Sequence, residues 1–187
     1  MSILDTTYIT LVLDTISRSG SEIELGLRED EFARIESSFG FRFPPDLRNL
    51  LRSGLPTGQQ FPGWRHDSVE QLCRILDGPV DGIAFDVAEN HYWRPEWGDR
   101  PRDVEEAITV ARMEIGRAPR LIPVFGHRFI PSEPLEAGNP VFSVSQADVV
   151  VYGNDLMDYF AHEFHITRPE WTRSAPKHIR FWSELAA

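Results

Sequence analysis

The chain has 187 residues, with 19 Lys and Arg against 29 Asp and Glu, a formal net charge of −10. With 41% hydrophobic and 26% charged residues, it has the composition of a globular protein and not of a disordered or fibrous one. The acid excess argues against direct contact with nucleic acid, whose phosphates call for clustered Lys and Arg, and against anchorage to an anionic membrane surface.

The same charge permits a basic protein partner, which complementary fields would steer into encounter. Cys73 is the only cysteine, so neither an intramolecular disulfide nor a cysteine zinc site is expected. No apolar run approaches the roughly 20 residues that span a bilayer. Met1 to Asp5 lack the basic start and long apolar stretch of a secretory signal, so a cytoplasmic protein is expected.

Leu4, Tyr8, Leu11, Val12 and Ile16 have helical spacing and predict a helix over 3–18, stopped at Gly20. Glu29, Asp30 and Glu31 suit the positive end of a helix dipole, with Phe32, Ile35 and Phe39 as the buried stripe and Gly40 as the stop. Phe43-Pro44-Pro45-Asp46-Leu47 restarts a helix whose stripe is Leu47, Leu50 and Leu51, closed by Gly54. Residues 55–65 read as a loop ending in Trp64-Arg65.

A short helix is expected over 67–77, with Cys73 inside its apolar face as a packed thiol. Ile83, Phe85 and Val87 alternate with Ala84, Asp86 and Ala88, which predicts a strand over 83–87. An aromatic loop, 90–101, carries Tyr92, Trp93 and Trp97. Val104, Ala107, Ile108, Ala111 and Ile115 then mark a helix ending near Gly116. Four short β-type runs follow: 121–125, 128–130, 141–144 and 149–152. The three valines at 149–151 suggest an interior strand. Asn154 or Asp155 caps a helix with Leu156, Tyr159, Phe160 and Phe164 buried, and a last helix is expected near 176–186. Helices at both ends, with strands in the middle and after residue 119, predict a single α+β domain over 1–187, its mostly antiparallel sheet covered by helices.

Three constellations bear on chemistry. Asp155, Asp158, His162 and His165 fall on one stripe of a helix, a pattern that can ligate a divalent metal. A solvated face with histidines favoured by the helix C-terminus explains it more simply, so no metal is expected. Asp86, His127 and Arg128 can form an acid–imidazole–arginine group, although no nucleophile is placed beside them and a structural ion pair is the simpler role. Trp64-Arg65, Trp93-Arg94 and Trp97 have the residue types of interface anchors and equally of core. Glu22, Glu24, Asp86, Glu89, Glu105 and Glu106 are candidate acidic contacts for a basic partner.

Several blocks together are distinctive. They include Phe39-Gly40-Phe41-Arg42-Phe43-Pro44-Pro45-Asp46-Leu47, Phe61-Pro62-Gly63-Trp64-Arg65 and Leu121-Ile122-Pro123-Val124-Phe125-Gly126-His127-Arg128-Phe129-Ile130-Pro131. Gly138-Asn139-Pro140-Val141-Phe142-Ser143-Val144 and Tyr152-Gly153-Asn154-Asp155-Leu156 complete the series. Over about 27–165 the chain resembles the SUKH superfamily, which holds a fungal cell-wall-synthesis regulator and many bacterial toxin-immunity proteins; the first and last helices lie outside that pattern. The resemblance implies an α+β domain without enzymatic activity or cofactor, binding a cognate polymorphic toxin. The alternative it implies is a regulatory or scaffold domain. The expected partner-binding residues are Trp64, Arg65, Asp86, Glu89, Trp93, Trp97, His127 and Arg128, with His127 and Arg128 facing a pocket formed with Asp86 and Trp64. A third reading makes Asp86, His127 and Arg128 an enzyme site.

Overall fold

A computed structural model describes residues 6–58 and 60–186. Leu4 of the first expected helix lies outside them. That helix, α1, runs Thr6–Arg18 and buries Tyr8, Ile9, Val12, Leu13 and Ile16. Helix α2 is Glu29–Phe39; its stop, Gly40, has φ 67°, in the left-handed region that glycine enters without cost. Helix α3, Pro45–Ser53, starts on proline, whose missing N–H has no partner in a first turn anyway.

The segment read as a loop at 55–65 contains strand β2, Leu55–Thr57. It pairs antiparallel with β1, Glu22–Glu24, a second strand without a sequence signal. Three residues are too few to show alternation.

The largest correction concerns 67–89. Helix α4 runs unbroken over Val69–Glu89, so the strand expected at 83–87 is helix. Ile83 and Val87 are one helical turn apart and fully buried, while Phe85 between them is 51% exposed. The apparent alternation is two helical faces sampled at odd positions. Gly78, Pro79 and Gly82 all lie within the helix, residue types that ordinarily weaken one. Pro79 is buried inside the helix, and a proline there forfeits one hydrogen bond. A Cβ on Gly82 would lie 3.0 Å from Gln146 Cα, so the glycine permits a close helix–turn contact. Ser68 and Gln71 close a reciprocal cap at its start.

A 3₁₀ turn at Pro95–Trp97 precedes helix α5, Val104–Ile115. The four-stranded antiparallel sheet is a meander of β3 (Leu121–Phe125), β4 (Arg128–Pro131), β5 (Val141–Ser145) and β6 (Asp148–Gly153), in that spatial order. Strand β6 is therefore an edge and not the interior strand expected from its valines, and Val150 is 49% exposed. Helix α6 covers Leu156–Glu163 with Asp155 as its cap. The last helix shrinks to α7, Trp182–Leu185, because Phe181 adopts φ 71° and interrupts the run.

Alternating strand residues feed two cores. Ile122, Val124, Ile130 and Val141 join the larger one with α1, α2, α3 and α6. Leu121, Phe129, Phe142, Val144 and Val149 join the second with Ile83, Ile115, Ile179 and Trp182. The chain is a single α+β domain, as its element order predicts. Among the described residues no helix is long and apolar enough to cross a membrane.

Candidate functional site

The structure disperses the residues expected to bind a partner. Trp64 is 2% exposed and sits edge-on to Phe43 and Phe41 in the larger core. Arg65 spends all five N–H donors internally. Nε and Nη2 fork onto Glu31 at 2.7 and 3.1 Å, Nη1 reaches Glu24 at 2.8 Å and the Leu25 carbonyl at 3.0 Å, and Nη2 reaches the Gly26 carbonyl at 3.2 Å. The Arg65 fork and the Arg28 N–H hold the Glu31 carboxyl down at about 2. The acidic triplet at the start of α2 is thus structural, with Glu29 and Asp30 paired to Arg48 and Arg28.

Asp86 lies on α4 and is 7% exposed. Its carboxylate accepts from the Ala147 N–H at 2.8 Å and the Asn90 amide at 2.6 Å, fastening α4 to the β5–β6 turn. His127 is largely exposed in the β3–β4 turn; the partial desolvation of its ring, then the neighbouring Arg128 charge, lowers its pKa. Arg128 stands on the Ile130 face of β4, over the Tyr152 ring and 3.6 Å from Glu163. Its Nη1 contacts His127 Nε2 and donates to Ser143 at 2.9 Å. Asp86 approaches from the opposite face of the sheet, and Trp64 is buried in the larger core. The expected pocket of these four side chains does not form.

The metal stripe also comes apart. Helix α6 ends at Glu163, before His165; Asp155 caps the helix; and Asp158 pairs with Arg168 at 2.6 Å. Among the described residues no group of three His, Cys, Asp or Glu is placed to hold a metal ion.

Two further expected residues, Trp93 and Trp97, remain together, as His127 and Arg128 do. Trp93 and Trp97 pack edge-to-face at 5.2 Å against the α4–α5 junction, where Val87, Ala107 and Ala111 are buried. Arg112 pairs with Asp81 at 2.7 Å and Arg100 bonds the Val87 carbonyl at 2.9 Å, which aligns the two helices antiparallel. Glu89 at the end of α4 and Glu105 and Glu106 at the start of α5 therefore share one end of the hairpin. All three are exposed, and none forms an ion pair among the described residues. Phe85, one turn before Glu89, was missed as a surface residue because a strand reading of 83–87 paired it with Ile83 and Val87.

A cleft of about 940 Å³ opens elsewhere, between α1, α3, the 136–138 loop and the segment after α6. Ile9, Met157 and Trp171 supply apolar walls, and Asp46 and Asp155 lie at its floor, 2% and 6% exposed. Asp46 accepts from Leu47 at 3.0 Å and Gly138 at 2.8 Å; Asp155 accepts from Met157, Asp158 and Arg173. All these donors are backbone N–H groups, and neither aspartate forms an ion pair among the described residues. Burial pushes the Asp46 carboxyl up to about 6, against the pull of its N–H donors.

Because the folded pKa of Asp46 exceeds its ordinary value of 3.8, the native state binds that proton more tightly. Its contribution to stability therefore grows as pH falls through about 6. Glu31 acts in the opposite sense, losing its contribution as pH falls from about 4.5 to about 2. Thermal unfolding is expected to show a higher Tm near pH 5 than near pH 7.5, and Asp46→Asn should flatten that rise. An unflattened profile in the variant would assign the rise to other groups.

No protein-family model matches the chain, and neither does any curated protein or solved structure.

Proposed function

We propose that this chain is a non-enzymatic, cytoplasmic immunity protein that binds and neutralises a basic polymorphic toxin through the acidic end of the α4–α5 hairpin. The observation that carries this reading is Phe85, a phenyl ring 51% exposed on α4 with the unpaired Glu89 one turn away and Glu105 and Glu106 at the same end of the hairpin. An exposed aromatic beside unpaired acids suits a basic protein surface, where the ring supplies the desolvated anchor and the acids supply orientation and encounter rate. If the toxin is a nuclease, the same acids stand where substrate phosphates would. The resemblance to the SUKH superfamily supports the reading. So does the separation of Asp86 from His127 and Arg128, which leaves the enzyme alternative without an assembled group.

The test is co-expression with the toxin encoded by the adjacent gene. Growth should be restored and a complex should elute from a sizing column. Phe85→Ala with Glu89→Lys should weaken binding by at least about tenfold, since anchor loss and charge reversal act together. The Tm should move by only a few degrees, because both side chains are exposed. Absence of rescue together with absence of a complex would overturn the proposal. A locus with no toxin gene would favour the regulatory or scaffold alternative.

A further inference from the structure

The cleft described above is not absorbed by the proposed toxin surface. Its lining comes from α1, α3, α6 and the 136–177 segments, and not from α4 or α5. Three of the distinctive sequence blocks meet there: Pro45-Asp46, Gly138 and Asp155 all line it, although they are widely separated in sequence. Asp46 Oδ2 bonds the Gly138 N–H and Asp155 Oδ2 bonds the Arg173 N–H, so the floor is joined to two of its walls.

The volume, about 940 Å³, is within the usual range for a small-molecule site. Ile9, Met157 and Trp171 give the cleft an apolar side, while polar side chains, with Asp46, Glu136 and Asp155 facing Arg52, Arg173 and Lys177, make up the rest of the lining. At the floor, two buried carboxylates feel one another's charge and receive only neutral backbone donors. A carboxylate has about four lone-pair positions; Asp46 uses two and Asp155 three, so each retains acceptor capacity. Buried charge without a counter-ion is costly, and a cation placed between the two would relieve that cost while taking up the free lone pairs.

The basic residues of the lining do not fill this role. Lys177 is committed to Glu136, Ala137 and Asn139, Arg52 to Asn49, and Arg173 Nε to the Ala175 carbonyl. Trp171 is 40% exposed and stands edge-on to Tyr8, which leaves part of its ring to receive an aliphatic stem.

We propose that this cleft binds an organic cation, a guanidinium or primary ammonium on an apolar stem, with the charged head between Asp46 and Asp155 and the stem against Met157 and Trp171. Its source is either a free small molecule or a basic side chain of a protein. The site is independent of the toxin reading, so either can fail alone.

Isothermal titration of the full chain with agmatine, with cadaverine, with a capped Gly-Arg-Gly peptide and with citrate tests it. The cations should bind one to one and citrate should not. The charged groups around Asp46 are Asp155, Glu136, Arg173, Lys177 and Arg52, while Thr6 and Ile9 of α1 add none. Among these Asp46 is the group pushed up to about 6. Affinity should therefore fall about tenfold between about pH 7.5 and pH 5.

Asp46→Asn removes the charge, but it also disturbs two backbone contacts. Asn49→Lys places an ammonium in the lining and frees Arg52 from the Asn49 side chain, so it adds competing positive charge without touching either carboxylate. It should abolish cation binding while leaving the Tm within a few degrees. Tighter binding of the peptide than of agmatine supports the proposal with a protein source, and the reverse supports it with a metabolite. Absence of binding by every cation at millimolar concentration, binding of citrate in their place, or undiminished affinity in Asn49→Lys overturns it.

Discussion

Replacing Trp64 with alanine should lower the unfolding free energy by about 3–5 kcal/mol. The indole, between β2 and α4, is 2% exposed, 5.2 Å from the Phe43 ring and 6.1 Å from the Phe41 ring, both in the segment that joins α2 to α3. Truncation removes a large apolar surface from the larger core and leaves a space beside Leu47, Leu50 and Phe160, all of them buried. Against a typical total of about 5–15 kcal/mol, that is a large share. Urea denaturation with an unchanged slope and a shifted midpoint would report it. A Trp64→Ala protein of normal stability that failed to bind a partner would instead make Trp64 an interface anchor, the other role its residue type suggested.

Arg65→Ala should cost about 3 kcal/mol, the lower end of what breaking a buried ion pair costs, because the guanidinium retains 21% exposure. The loss has a specific origin. Glu31, 9% exposed, would stay behind without its fork, and the Leu25 and Gly26 carbonyls would lose a donor. Arg65→Lys should recover little, since one ammonium cannot reproduce five directed donors. The Glu31 carboxyl should also titrate closer to its ordinary 4.5 in Arg65→Ala. The variant should then lose less of its remaining stability than the parent between about pH 4.5 and pH 2. An equal loss in both proteins would show that the fork does not hold Glu31 down. Adding Glu31→Leu to Arg65→Ala should restore part of the stability, since the buried charge goes with its partner.

Helix boundaries with local chemical causes were legible in the sequence. Gly40 stops α2 because its backbone is left-handed, Pro45 starts α3, and Asp155 caps α6 by accepting two N–H groups. Features set by tertiary contact were not. The continuity of α4 through Gly78, Pro79 and Gly82 depends on burial of Pro79 and on the turn at Gln146, neither of which is local. The edge position of β6 follows from the order of pairing, which no run of valines encodes.

The same holds for the candidate sites. Residue types marked Trp64, Arg65, Asp86 and Arg128 as special, and each is: all four carry buried or half-buried contacts that fasten one element to another. Whether such a residue faces inward or outward is fixed by packing and not by its identity. The cleft was invisible because its lining is assembled from segments as distant as Ile9 and Lys177.

Helix α4 has a further consequence. Leu72 and Leu76 in its first half belong to the larger core, Ile83 to the second, and Val87 to the small cluster beneath the aromatic loop. One rod is rooted in three hydrophobic clusters, and a rod cannot be withdrawn from one of them while it stays fixed in the others. The helix converts what its sequence presents as separable segments into a single cooperative unit, so that opening at either end is felt at the other.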